Sequence, residues 1–220
     1  MRVMITDHNI EKDMLSGRSL IDFAVSAPKD IEFYFVFNRE CDSSDSLTSK
    51  GFKCFIFAHG LEQSRRQRVF SFMRGIVSMT RLVLAFKPDV LHANNLMAGR
   101  LVTLVGKLTR TPSVVQLRNP YVPKRQSWVL DACDKIYCVS KYLKDNVISK
   151  NQSTKAVVVH DGFDTEGFER TDQVGATSGG PITIGLCSRV AFQKGVHLFC
   201  EIAEAYASDK EIKFIHFGGK

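Results

Sequence analysis

Short apolar runs rich in β-branched and aromatic residues alternate along this sequence with longer segments of helical periodicity. The runs predict strands and the longer segments predict helices. Strands joined through helices are parallel, so the alternation predicts an α/β fold with a Rossmann-like parallel sheet wrapped by helices. The predicted strands are Val3–Thr6, Ile31–Phe37, Phe52–Phe57, the middle of Lys87–Asn95, Ser113–Leu117, Lys135–Val139, Ala156–Val159, a buried strand opening at Ile182, and Lys213–Phe217.

The strongest helical signal runs from Gln63 to Phe86, where apolar residues recur at helical spacing. The five arginines from Arg65 to Arg81 also lie on this segment. A helix packed on the sheet with a solvated basic face is the favoured interpretation. The alternative is a basic amphipathic surface resting on anionic lipid.

The net charge of +7 favours an anionic partner such as a phosphate, a nucleic acid or an anionic membrane surface. No motif for binding nucleic acid accompanies the charge, so we expect no nucleic-acid partner.

The six cysteines form no CxxC pair, which predicts free thiols in a reducing compartment and no metal site. The first residues do not resemble a signal peptide, and no stretch looks apolar for long enough to span a bilayer. These observations predict a cytoplasmic protein, with peripheral attachment at the inner membrane surface left open.

Polar residues follow several of the predicted strands. Ligands of a parallel sheet bind beyond the carboxyl ends of its strands, so these residues are candidates for a binding site. The competing interpretation is structural, with His92 satisfying the end of a strand and Ser140 serving as a helix N-cap. The candidates are Asp7, His8, Asn9, His92, Asn94, Arg118, Asn119, Ser140, Asp161 and Gly162.

A Gly/Ser/Thr-rich stretch at residues 171–180 predicts a linker between a domain at residues 1–170 and the start of a second one at residues 181–220. After the linker, a strand, a loop hinged at Gly185 and a helix start follow in turn. The loop carries Arg189 and Lys194. Two cations before a helix N-terminus suit a diphosphate, although an ordinary loop with two solvated cations is the alternative.

Four stretches, in this order, resemble motifs of glycosyltransferase family 4, whose members have the two-domain GT-B architecture. Lys87–His92 is similar to the family's KPDVIH strand, and Ala132–Leu143 to its ADKIIAVSEYLK strand and helix. Val157–Phe168 resembles VVVIPNGVDTERF, at the crossing into the second domain, and Gly185–Gly195 resembles GRLVPQKG.

The resemblance implies two facing Rossmann-like domains that transfer a sugar from a nucleotide-sugar donor to a glycan or lipid-linked acceptor in cell-surface polysaccharide synthesis. Arg189 and Lys194 would be catalytic, gripping the donor diphosphate with Gly185 and Gly17. The reaction would be retaining and independent of metal or another cofactor. The first domain would hold the acceptor, and the expected acceptor-side or interdomain residues are His92, Asn94, Arg118, Asn119, Ser140, Asp161 and Gly162.

The sequence also departs from the family pattern. Gly17 is the sole glycine in the loop expected to be glycine-rich, and Asp161 stands where Asn is usual. Arg118-Asn119 occupies a place where the family often has His, and Arg118 could bind an anionic group. The family's paired glutamates would lie beyond Lys220, so the second Rossmann-like unit is expected to be incomplete. The alternative function is therefore a partial chain or split-enzyme subunit that acts only as a binding domain.

Overall fold

The computed structural model describes residues 1–8, 18–58, 65–162 and 180–218. The chain divides into two compact units, Met1–Thr165 and Glu166–Lys220. Most of the predicted linker at residues 171–180 lies outside the described residues, as do Asn9 and Gly17. The domain boundaries therefore stay a prediction.

The first unit contains a seven-stranded sheet within the described residues, and all of its pairings are parallel. The predicted Rossmann-like fold is confirmed. The strands are β1 (Arg2–Asp7), β2 (Glu32–Phe37), β3 (Lys53–Ile56), β4 (Val90–Ala93), β5 (Ser113–Leu117), β6 (Lys135–Cys138) and β7 (Ala156–Val158). Their order across the sheet is β3-β2-β1-β4-β5-β6-β7.

Six helices of the described residues connect these strands. They are α1 (Arg18–Ser26), α2 (Asp42–Ser49), α3 (Arg65–Phe86), α4 (Leu96–Thr109), α5 (Ser127–Ala132) and α6 (Lys141–Asn146). Helix α2 occupies a stretch rich in serine and aspartate. Its start is stabilised by Ser44, whose hydroxyl accepts from the Cys41 amide at 3.0 Å and donates to the Cys41 carbonyl at 2.7 Å.

Successive side chains of the central strands point to opposite faces of the sheet and pack in two separate hydrophobic cores, one on each face. Val3 and Ile5 of β1 pack with α1 and α2, whereas Met4 packs on the other face with α3, α4, α5 and α6. Helix α4 approaches both α5 and the sheet closely, since a Cβ on Gly99 would lie 2.8 Å from Cγ1 of Val129 in α5 and 3.1 Å from Cγ1 of Val115 in β5. Both faces of β1 and β2 are therefore covered, as a parallel sheet requires.

Helix α3 corrects two expectations. Its inner residues Met79 and Val83 are buried on the sheet, but Val69 and Phe70 are 59% and 66% exposed, so the outer face is apolar as well as basic. By length and composition, the segment Arg66–Phe86 is also long and apolar enough to cross a membrane. Of its most apolar 18-residue stretch, 17% is buried within the protein. The expectation that no stretch reaches that length was wrong, because Arg74 and Arg81 interrupt the run without lowering its mean hydropathy enough.

The second unit contains β8 (Ile182–Cys187), α7 (Val196–Ala205) and β9 (Ile212–Phe217), with β8 and β9 parallel. The strand at Ile182 was predicted to be buried, but Ile182 is 68% exposed. In the described part of this unit, β8 has one neighbouring strand and one helix to pack against, which is too little to cover both faces.

Candidate functional site

The register of the sheet brings the candidate side chains onto one face. His92 of β4 pairs with Ile5 on one side and with Val114 on the other, and Gln116 of β5 pairs with Tyr137 of β6. Side chains two residues apart in a strand share a face, so the side chains of these residues point to the α1 side of the sheet. Arg118, two residues beyond Gln116, continues this row at the carboxyl end of β5.

Arg118 is the centre of a hydrogen-bond network. Its Nη1 donates to Oδ2 of Asp161 at 2.7 Å, and its Nε donates to the Asn94 carbonyl at 3.0 Å. Its Nη2 donates to Oδ1 of Asn94 at 3.0 Å and to Oε1 of Gln116 at 3.3 Å. Gln116 completes the ring, since its Nε2 donates to the other carboxylate oxygen of Asp161 at 3.1 Å. The network ties together the ends of β4 and β5 and the segment after β7.

A cleft of about 140 Å³ lies beside this network. Helix α1 contributes Leu20 and Phe23 to its apolar wall, and Tyr137 and Val159 complete that wall. Gly162 and Ser19 also line the cleft. Its polar wall consists of His92, Asn94, Gln116, Arg118, His160 and Asp161. Aromatic rings together with amide, carboxylate and imidazole groups form a surface suited to a polyhydroxylated ring.

His92 lines the cleft. Burial, reinforced by the nearby Arg118 charge, lowers the pKa of His92 to about 4, so the imidazole is neutral at physiological pH. Its Nε2 is buried and has no hydrogen-bond partner among the described residues. The ring meets Tyr137 edge to face, with the centroids 5.9 Å apart. A buried polar atom without a partner is costly unless a ligand or water satisfies it, which points to His92 as a ligand contact.

Asp7 is not among the residues that line the cleft. Burial raises the pKa of the Asp7 carboxyl above its ordinary value, while hydrogen bonds from Asn94, from the backbone of His8 and from Asn95, together with the Arg118 charge, oppose the shift. Asn95 donates to Asp7 and also accepts from the Ala98 amide at 2.9 Å, which makes it the N-cap of α4. Asp7 therefore anchors the start of α4, and His8 beside it is buried.

Two other candidates lie outside the cleft. Asn119 is exposed beyond Arg118. Ser140 accepts from the Leu143 amide at 3.3 Å and caps α6, which agrees with the structural alternative for this residue. Sequence reasoning missed Gln116, Tyr137, His160 and Phe23. Gln116 carried a signal, since an amide side chain inside a strand of apolar residues is expensive to bury without a partner.

In the second unit, Arg189 and Lys194 are exposed on the connection from β8 to α7. The turn Phe192–Lys194 ends at Gly195, whose φ of 69° is a left-handed conformation that favours glycine. Gly195 is also the residue before α7 and offers no side chain to cap the helix, so the first amides of α7 stay available for an anion. Gly185 lies inside β8, paired with Ile215, rather than in the loop as predicted.

No group of three or more histidine, cysteine, aspartate or glutamate side chains suited to a metal ion occurs within residues 1–8, 18–58, 65–162 and 180–218. The six cysteines are free.

The family model described as Glycosyltransferase Family 4 matches residues 42–167, which is more than half of the chain. The chain belongs to glycosyltransferase family 4. Two of the four resembling stretches, Lys87–His92 and Ala132–Leu143, lie within the matched range, and Gly185–Gly195 lies beyond it. None of the curated proteins matches this sequence.

Solved structures of similar fold cover nearly the whole family 4 chain. Anabaena HepE in complex with UDP matches with a TM-score of 0.69 and 13% identity over 100% of this chain and 70% of its own. The apo form of the lipopolysaccharide outer core galactosyltransferase WaaB matches with a TM-score of 0.63 and 12% identity, over 100% of this chain and 68% of its own. MurG from Acinetobacter baumannii matches with a TM-score of 0.63 and 9% identity, over 98% of this chain and 68% of its own. At these identities the likeness establishes the GT-B-like fold.

Proposed function

We propose that this family 4 chain transfers a sugar from a nucleotide-sugar donor to a glycan or lipid-linked acceptor in the synthesis of cell-surface polysaccharide. The observation that carries the proposal is the cleft at the carboxyl ends of β4 to β7, which is lined by polar and aromatic side chains and by His92, whose buried Nε2 has no hydrogen-bond partner among the described residues. It lies where ligands of parallel sheets bind.

The acceptor sugar occupies this cleft in the proposed reaction. Asn94, Gln116, Arg118 and Asp161 hold one another in place and present hydrogen-bonding groups to its hydroxyls. Rigid groups of this kind orient an acceptor hydroxyl for attack on the anomeric carbon of the donor. Gly162 lines the same cleft.

The donor diphosphate binds to Arg189, Lys194 and the first amides of α7. As the glycosidic bond breaks, negative charge builds on the leaving diphosphate, and the two cations stabilise it. If the anomeric configuration is retained, leaving group and acceptor share one face of the sugar, so the departing phosphate oxygen is the nearest group to take the acceptor proton. Positive charge from the protein serves the role that a divalent metal fills elsewhere, and no further cofactor is needed.

The solved structures of similar fold suggest the donor. HepE has been solved with UDP, with UDP and glucose, and with UDP-glucose. WaaB is described as a galactosyltransferase of the lipopolysaccharide outer core. A UDP-hexose is therefore the first donor to test.

The outer face of α3 favours a cytoplasmic enzyme held at the inner membrane surface. Val69, Phe70 and Met73 are exposed there beside Arg66, Arg68 and Arg74. Apolar side chains between arginines suit the interface of an anionic bilayer. Helix α3 follows β3, so its first turn lies at the carboxyl edge of the sheet, which is also the edge where the cleft lies.

Calorimetric titration with UDP-glucose, UDP-galactose, GDP-mannose and ADP-glucose tests the proposal. We expect one UDP-sugar to bind more tightly than the GDP and ADP sugars, and a radiolabelled sugar from it to enter a membrane extract only when the protein is present. NMR of the product's anomeric signal then establishes retention. If no donor binds, the proposal fails and a role as a binding domain is favoured instead.

A further inference from the structure

We propose that the cleft selects an uncharged sugar ring, and that Asp161 sets this selectivity by compensating the charge of Arg118. The inference rests on the proposed function, since it concerns the acceptor subsite of that reaction. It reverses the expectation that Arg118 binds an anionic group.

The hydrogen bonds of Arg118 are nearly all made within the protein. A guanidinium has five N–H groups, and four of those of Arg118 donate to Asn94, Gln116 and Asp161. An arginine that recognises a carboxylate or phosphate normally offers it two parallel N–H groups. Arg118 retains one, on Nη1, and the side chain is only 19% exposed. It cannot form the two-pronged contact with a ligand.

The negative charge of Asp161 is a second reason why the cleft disfavours anionic ligands. One of its oxygens accepts from Arg118 and the other from Gln116, so the carboxylate is held against the cleft wall. A ligand carboxylate near Arg118 would also lie near Asp161, and the repulsion would offset the attraction. With this ion pair intact, the polar wall presents dipoles and a neutral imidazole rather than a net charge.

What remains available suits hydroxyl groups and carbon-bound hydrogens. A hydroxyl can donate or accept, so it can satisfy the buried Nε2 of His92 in either tautomer of the neutral ring. The rings of Phe23 and Tyr137 line the cleft and contribute apolar surface that suits the carbon-bound hydrogens of a sugar. The cleft volume of about 140 Å³ is below that of sites for drug-sized ligands, which indicates a single sugar ring.

The substitution Asp161→Asn offers a gain-of-function test. It keeps the shape and the hydrogen bond that Arg118 donates, but it removes the compensating charge and replaces the oxygen that accepts from Gln116 with an amide donor. We expect the variant to accept anionic sugars that the unmodified protein rejects. In the double variant Arg118→Gln/Asp161→Asn the cation is absent as well, so the gain should disappear.

The ligands are two matched pairs, methyl glucoside with methyl glucuronide and methyl galactoside with methyl galacturonide, whose members differ only at C6. Their dissociation constants are measured by NMR titration on the full chain. We expect the unmodified protein to prefer the neutral member of at least one pair by about tenfold or more. In Asp161→Asn the ratio should shift by about tenfold towards the anionic member.

The inference is overturned by equal or tighter binding of the anionic sugar to the unmodified protein, by an unchanged ratio of dissociation constants in Asp161→Asn, or by no binding of either pair. A ratio of dissociation constants that stays shifted in the double variant also overturns it, because the gain would then not come from Arg118. Circular dichroism and thermal unfolding establish that each variant is folded.

The same experiment separates this inference from the proposed function. Binding of UDP-sugars and transfer of label into membrane extract do not depend on the C6 preference. If those succeed while the glycosides show no selectivity, only the inference fails. If the selectivity is found but no donor binds, the proposed glycosyl transfer fails and the cleft remains a site for neutral sugars.

Discussion

The guanidinium of Arg118 donates to the carboxylate of Asp161 at 2.7 Å, across a separation of 43 residues in the chain. Arg118 follows β5 and Asp161 follows β7, so the pair spans the intervening β6 at the carboxyl edge of the sheet. Arg118 and Asp161 are also two of the residues at which the sequence departs from the motifs that it resembles. The structure joins these two departures in one feature, an ion pair.

We predict that Arg118→Gln lowers the free energy of unfolding of the first unit by about 1–3 kcal/mol, because Asn94 and Asp161 lose hydrogen-bond donors. Asp161→Asn should cost less, since Asp161 is 39% exposed. The coupling between the two changes should be about 1 kcal/mol in a double-mutant cycle. Urea unfolding followed by fluorescence of Trp128, the single tryptophan, reports on this unit. Strict additivity would show that the pair contributes nothing beyond its separate contacts.

His92 predicts a dependence of stability on pH. Its pKa is about 4 in the folded chain against an ordinary value near 6.5, so folding favours the neutral ring. This contribution is fully present above about pH 6.5 and is lost as the pH falls towards 4. By pH 5 the loss should be about 2 kcal/mol, from 1.5 pH units at about 1.4 kcal/mol each. Asp7 acts with the opposite sign, because its raised pKa favours the protonated folded form in acid.

The comparison of unmodified protein with His92→Gln isolates the histidine from Asp7. The stability difference between the two should change by about 2 kcal/mol between pH 7.5 and pH 5, measured by urea unfolding at each pH. His160→Gln is the matched control, since His160 lines the same cleft but is exposed. A difference that stays constant across this range would contradict the buried, neutral state of His92.

The order of strands and helices could be predicted because it depends on local periodicity. The candidate binding residues at the carboxyl edge of the sheet could be predicted because they directly follow the strands. The contacts among those candidates could not be predicted. Arg118 reaches Asp161 only because the sheet order places β5, β6 and β7 side by side, and that order is a property of the whole domain. Asp7 and His92 both follow or end predicted strands in the sequence, yet Asp7 accepts from Asn95, the N-cap of α4, and does not line the cleft.

Helix α3 shows a different limit of sequence reasoning. Its apolar residues recur at helical spacing, which indicates a buried stripe, and Met79 and Val83 are buried as this predicts. The first turns do not lie on the sheet: residues 66–70 are all exposed, so the same spacing there leaves apolar side chains outside. Periodicity identifies a face, whereas the length of sheet available beneath the helix determines how much of it is covered.

We predict that the full chain binds vesicles of phosphatidylglycerol and that Arg66→Gln/Arg68→Gln/Arg74→Gln/Arg81→Gln weakens this binding at least about tenfold, since each cation near an anionic surface contributes about 1 kcal/mol. Val69→Ser/Phe70→Ser should weaken it without altering the charge. Vesicle flotation at two salt concentrations provides the measurement. The control removes four exposed cations of the first unit elsewhere: Lys29, Arg39, Lys50 and Lys150. Equal loss in that control would mean that net charge, and not α3, drives binding.

The connection from β8 to α7 provides the test of the donor site. Arg189→Ala or Lys194→Ala should each lower kcat/KM for the UDP-sugar by about 100- to 1000-fold, the usual effect of removing one preorganised charge-stabilising group. Arg189→Lys keeps the charge but loses the fork of the guanidinium, so an intermediate loss is expected. The acceptor KM should change little, because the acceptor cleft belongs to the first unit. Lys210→Ala/Lys213→Ala removes two exposed cations from the same unit and is the matched control. Turnover that stays within about threefold of the unmodified protein in the Arg189→Ala/Lys194→Ala double variant would exclude this loop as the diphosphate site.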